Sequence, residues 1–156
     1  MSSLEQLYQQ VILDHSRERH GSAPVPDTVD ASSHQVNPTC GDEVTLGVTL
    51  GEGGQLNTLV WDGDGCSISQ ASLSMLSDLV NDKSYEEISS LYHAMETMMH
   101  SRGRGVDDDT LDLLEDAAAL EGSSQFPNRI KCALLGWYAL RDALAQLGID
   151  IAGDTL

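Results

Sequence analysis

Three cysteines and one aspartate are the residues of this chain with the most chemistry to offer. Cys40 lies in Asn37-Pro38-Thr39-Cys40-Gly41-Asp42, Cys66 in Gly63-Asp64-Gly65-Cys66-Ser67-Ile68-Ser69, and Cys132 in Arg129-Ile130-Lys131-Cys132-Ala133. Thiolates are soft ligands suited to zinc or iron–sulfur chemistry, and the Asp42 carboxylate can fill a fourth place in a tetrahedral shell. The same thiolates are nucleophiles able to carry sulfur. Spacing alone makes a loose pattern, because only Cys40 and Asp42 are local to each other and no Cys-x-x-Cys knuckle exists. The bland alternative is three unreactive thiols packed as small hydrophobes. Local context weighs against it: Cys40 is flanked by Pro38 and Gly41, Cys66 follows a glycine-rich stretch, and Cys132 follows Lys131 near a helix start. Each thiol is therefore expected to be exposed and in surroundings electropositive enough to ionise.

The elements that must position these residues are legible from periodicity. Ser2 and Ser3 precede Glu5 and Gln6 at capping-box spacing, and Leu4, Leu7, Tyr8, Val11 and Ile12 recur at helical period, giving a helix to about His20 that Gly21 ends. Pro24 and Pro26 mark a loop, followed by a short extended piece at His34 to Val36 and an exposed turn with Cys40. Val44, Leu46, Val48 and Leu50 alternate as a strand, and a second run over 55–62 completes a hairpin across Gly51-Glu52-Gly53-Gly54. A glycine turn at 63–65 leads to a helix marked by Ile68, Ala71, Met75, Leu79 and Val80, with Cys66 in or just before its first turn, where thiolate is favoured. Ser84 and Glu87 form a second capping box, opening a helix whose stripe of Ile88, Leu91, Tyr92, Met95, Met98 and Met99 reads as core. An acidic start at 107–109 precedes a short helix with Leu111, Leu114 and Ala118 that Gly122 is expected to end. Pro127 suits the first turn of a last helix with Ile130, Ala133, Leu134, Trp137, Leu140, Leu144 and Leu147 on one face. Cys132 lies off that stripe, in line with Gly136, Ala139 and Ala143, a band of small side chains that lets another segment approach closely. Strands early and helices after them imply one α+β domain over residues 1–156, with a small antiparallel sheet covered by helices.

Composition narrows the function classes. With 8 Lys+Arg against 25 Asp+Glu the formal charge is -17, which repels nucleic acid and anionic membrane surfaces and favours a basic protein partner. No secretion signal or bilayer-length apolar run is visible, and an odd three cysteines argue against a disulfide framework, so the chain reads as cytosolic. Asp62 and Asp64 resemble the opening of a calcium loop, but Leu73 stands where its closing glutamate belongs. His15, His20, His34, His93 and His100 lack a zinc-helix spacing and are read as surface or packing residues. The Arg102 to Gly105 run is too short, in too acidic a chain, for RNA binding.

Taken together, Asn37 to Asp42, Gly65 to Ser69 with Ala71-Ser72, and Arg129 to Cys132 resemble the IscU-like iron–sulfur assembly family over nearly the whole chain, in particular its SufU-type zinc-dependent sulfurtransferases. Lys131 stands where the scaffold branch usually has a histidine, and an extra segment around 101–122 fits the SufU branch. The scaffold branch's proline-rich chaperone-recognition segment is absent before Cys132. The resemblance implies an IscU/SufU-like fold and Zn2+ held by Cys40, Asp42, Cys66 and Cys132. It implies Cys40 as acceptor of persulfide sulfur from a SufS-type pyridoxal-phosphate cysteine desulfurase, released from zinc when a desulfurase histidine takes its place. Arg129 is implied near the site, pairing with Asp42 or steadying an anionic persulfide, and a downstream iron–sulfur assembly scaffold is the implied recipient. Two other functions suit the same residues: a scaffold for a nascent [2Fe-2S] cluster and a structural zinc module without turnover.

Overall fold

The computed structural model describes residues 3–153. Helix α1 (Ser3–Glu18) is followed by strands β1 (Ala31–Asn37), β2 (Asp42–Leu50) and β3 (Leu56–Asp64). Helices α2 (Ser67–Val80), α3 (Tyr85–His100) and α4 (Asp108–Leu114), a 3-10 segment (Glu115–Gln125) and helix α5 (Pro127–Gln146) complete the order. The three strands form one antiparallel sheet in the order β1-β2-β3. This is the α+β arrangement the sequence implies, and no described helix is long and apolar enough to cross a membrane.

The sheet is larger than the expected hairpin. The extended piece near His34 lengthens into β1, which pairs with β2 from Ala31↔Val48 to Asn37↔Asp42. β1 is polar, but Ala31, Ser33 and Asn37 alternate inward beside Val44, Leu46 and Val48 of β2, so register supplies the pattern that composition hides. β3 also runs past the expected glycine turn: Gly63 pairs with Val44, where an added Cβ would clash with the β2 backbone. The chain therefore reaches Cys66 directly from a strand end.

Helix α5 lies across β1 and β2 and packs against α2, which in turn packs on α1. Pro127 starts α5, as expected. Gly136 faces Leu73 and Leu76 of α2 so closely that a Cβ would collide with Leu73, confirming the small-residue band as the place of close approach. A buried bond from Ser72 Oγ to the Ala133 carbonyl, 2.6 Å, ties the two helices one residue beyond Cys132. The methionines of α3 are core: Met95, Met98 and Met99 are buried. Its capping box is present, with Ser84 Oγ accepting from Glu87 N–H and the Glu87 carboxylate accepting from Ser84 N–H. The helix opened by Asp107 stops at Leu114 rather than at Gly122, because Glu115 takes φ +49° and the chain continues as 3-10 turns. At α1, the Ser2 half of the proposed cap lies outside the described residues, and Ser3 is already helical.

Candidate metal centre

Three chain ends meet at one edge of the sheet. The β1–β2 connection, residues 38–41, holds Cys40 at a hairpin tip closed by bonds from Cys40 N–H and Gly41 N–H to the Asn37 carbonyl, 3.2 and 2.9 Å. Gly41 has φ +71°, a conformation that costs glycine little and lets the chain re-enter β2 at Asp42. Cys66 bridges the end of β3 and α2 as the helix N-cap. Cys132 faces inward from the early turns of α5.

Asp42 is fully buried and holds the arrangement together. Its Oδ1 accepts the Cys66 backbone N–H at 2.8 Å, and its Oδ2 lies 3.8 Å from Cys66 Sγ. Cys132 Sγ is 3.2 Å from Cys40 Sγ, and donor atoms of Cys40, Asp42 and Cys132 all lie within 4.8 Å of one another. Cys66 lies outside that 4.8 Å group and borders it through Asp42 Oδ2. All four residues singled out from the sequence are thus adjacent. Gly65 is required beside them, since a Cβ there would collide with Asp42 Oδ1 and lie 2.5 Å from Ser69 Oγ.

The three thiols are not equivalent. Cys40 and Cys66 are exposed, as expected, whereas Cys132 is 2% exposed, contrary to expectation. Its place on the small-residue band explains this, because that band is the face pressed into the fold. Burial pushes the Cys132 thiol far up, reinforced by its hydrogen bonds to Asp42, Cys40 and Cys66 and by the charge of Cys66. Asn37, whose part the sequence does not reveal, donates from Nδ2 toward Cys132 Sγ at 3.8 Å. Ser69 bonds the Cys66 carbonyl at 3.0 Å and lies 4.0 Å from its sulfur. Both stand inside the quoted motifs, so proximity in sequence was their only signal.

Arg129 does not pair with Asp42. Its guanidinium lies 4.5 Å over the Phe126 ring at the start of α5. No lysine or arginine forms an ion pair with Asp42 among the described residues, whose recorded ion pairs all involve histidine. Three thiols and a carboxylate thus converge without a protein cation, which fits a metal ion. Tetrahedral zinc with Zn–S bonds of about 2.3 Å needs donors a little under about 4 Å apart, which Cys40, Asp42 and Cys132 approach as they stand and which Cys66 reaches by turning its sulfur toward them. Such an ion also reverses the electrostatics that hold a proton on Cys132.

Comparison with known proteins agrees with this geometry. The model of the NifU-like N terminal domain matches residues 7–133. The zinc-dependent sulfurtransferase SufU of Bacillus subtilis is 37% identical over 93% of this chain and 94% of its own length. The iron–sulfur cluster assembly scaffold protein IscU of Streptococcus pyogenes serotype M1 is 38% identical over 94% of this chain and 87% of its own. The crystal structure of the SUF-system protein FiSufU from Fervidobacterium islandicum AW-1 superposes with a TM-score of 0.70 at 29% identity, covering 92% of this chain and 99% of that one. Sequence, fold and the convergence of the three cysteine segments agree, and the chain belongs to the NifU-like N-terminal domain family of IscU and SufU iron–sulfur cluster assembly proteins.

Proposed function

We propose that this chain is a zinc-dependent sulfurtransferase of iron–sulfur cluster biogenesis. In this reading Cys40 takes sulfur from the persulfide of a SufS-type pyridoxal-phosphate cysteine desulfurase in the cytosol and passes it to a downstream assembly scaffold. The observation that carries the reading is the inequality of the thiols: Cys132 is buried, Cys66 is exposed but fixed as a helix N-cap, and Cys40 is exposed on a hairpin tip.

Cys40, Asp42, Cys66 and Cys132 are the residues that would hold zinc. Bound there, zinc supplies the charge that keeps the thiols ionised and shielded from oxidation. The Cys40 thiolate attacks the outer sulfur of the donor persulfide. A sulfur–sulfur bond forms at Cys40 as the donor's own breaks, and the donor cysteine leaves as thiolate. Sulfur keeps its oxidation level, so no external electrons are needed. Asp42, anchored to Cys66 N–H, fixes the carboxylate toward the thiols, while the Asn37 carbonyl holds the tip that presents Cys40. Arg129, exposed at the rim and stacked on Phe126, is free to turn toward an anionic persulfide.

A scaffold that assembles a nascent [2Fe-2S] cluster is the second reading, supported by the relative named IscU at nearly the same identity as SufU. Lys131 before Cys132 favours the sulfurtransferase. Metal and acid-labile sulfide analysis of the purified protein, joined to a desulfurase assay with and without it, separates them. Stoichiometric zinc with stimulated sulfide release supports the proposal. Substoichiometric zinc with a coloured, sulfide-containing product and no stimulation supports the scaffold.

A further inference from the structure

We propose that His15, His20 and Asp78 form a second metal site, distinct from the thiol cluster, for a divalent first-row transition ion. Helix α1 ends at Glu18, and Arg19, at φ +50°, turns the chain so that His20 comes back beside His15. The two rings meet edge to face with centroids 5.0 Å apart. Helix α2 runs alongside and presents Ser74 and Asp78, one turn apart on a shared face. Donor atoms of His15, His20 and Asp78 all lie within 4.8 Å of one another. The spacing of the two histidines is not that of a zinc-binding helix face, so the fold alone reveals the group.

The hydrogen bonds around the rings turn Nδ1 of each toward α2, onto Ser74 and Asp78. His15 Nε2 is 2.9 Å from Asp116 Oδ2, and His20 Nε2 is 2.9 Å from Glu18 Oε1. A carboxylate there accepts a hydrogen bond from Nε2–H, the outer support that metal-bound histidines use, with Nδ1 on the other side of the ring. Ser74 Oγ accepts the His20 backbone N–H at 3.0 Å and its proton is directed to His15 Nδ1 at 2.8 Å, a bond that a metal ion at Nδ1 displaces. His20 Nδ1 faces Asp78 Oδ2 at 2.7 Å, so this ring stands between the Asp78 and Glu18 carboxylates. Glu18, Asp78 and Asp116 place three carboxylates around the two rings in a chain already at -17. Two imidazole nitrogens with one carboxylate oxygen suit zinc, cobalt or nickel rather than calcium or magnesium. His15 is buried while His20 and Asp78 are partly exposed, which gives an ion a rigid floor and an open side.

The test uses the full chain already holding one equivalent of zinc at its thiols, to which further zinc is added. Long-range 1H–15N spectra then report each of the five imidazoles. The proposal expects the ring nitrogens of His15 and His20 to shift on the second equivalent while His34, His93 and His100 stay in place. Asp78→Asn and His20→Gln should weaken this second binding by at least about tenfold, with the thiol-bound zinc retained. Both residues are partly exposed, and unchanged melting of the zinc-loaded variants verifies their folding. Rings that do not move in excess zinc would overturn the proposal. So would shifts spread equally over all five, or shifts that survive in both variants.

Discussion

Replacing Asp42 tests the centre most sharply, because its two oxygens do different work. Oδ1 accepts the N–H of Cys66, and Oδ2 faces the thiols. Asp42→Ala removes both in a fully buried position. A hydrogen bond to a charged acceptor contributes about 1.5–3 kcal/mol, so the alanine variant should lose about that much stability in metal-free protein. For a chain of this length that corresponds to a fall in Tm of about 3–12 °C. Asp42→Asn keeps a carbonyl oxygen for Cys66 N–H at the neutral value of about 0.5–1.5 kcal/mol, and should lose only the difference, about 1–1.5 kcal/mol. Both variants remove the charge from the metal donor set, so zinc affinity should fall in both, by at least about tenfold. Calorimetric melting in chelator, paired with a competitive zinc titration, separates the two roles. Equal melting of the two variants would refute the anchoring role of Oδ1, and unchanged zinc affinity in both would remove Asp42 from the metal's donors.

Gly65→Ala should disturb the site without touching a donor, because the new methyl collides with Asp42 Oδ1; weakened zinc binding by the folded variant checks it, and wild-type affinity would contradict it. Ser84→Ala removes the α3 cap and should cost about 1 kcal/mol, read by denaturant unfolding, with zinc binding intact. Chelation should lower Tm without abolishing helical circular dichroism, since the core of Leu46, Trp61, Met95 and Trp137 does not involve the metal donors. Complete loss of the helical signal would show that the metal, not the core, drives folding.

The sequence disclosed the elements whose pattern is local. Alternation over Val44 to Leu50 becomes β2, the Ser84/Glu87 box becomes the observed cap, and Pro127 marks the first turn of α5. β1 escaped full definition because Ser32, Ser33, His34 and Gln35 lack apolar alternation; pairing with β2 makes it a strand. The end of α4 was misplaced because Glu115, a good helix former, takes positive φ where no glycine signals a stop. At the centre, residue identity singled out the four candidate donors, while the inequality of the thiols needed the fold. Cys132 is buried on the face of α5 that Gly136 brings close to α2, a contact invisible to local context. The His15–His20 pairing likewise depends on a left-handed Arg19 that no residue type announces.

The central claim is that Cys40 receives sulfur first, and locating that sulfur tests it most directly. The zinc-loaded protein is incubated briefly with a matched desulfurase and cysteine, quenched by alkylation without reductant, and mapped by peptide mass. The added 32-dalton mark of one sulfur, about the atomic mass of sulfur and distinct from disulfide formation, should appear on the Cys40 peptide before any other, and Cys40→Ser should abolish transfer. Early sulfur on Cys66 or Cys132 with Cys40 unmodified would contradict the account.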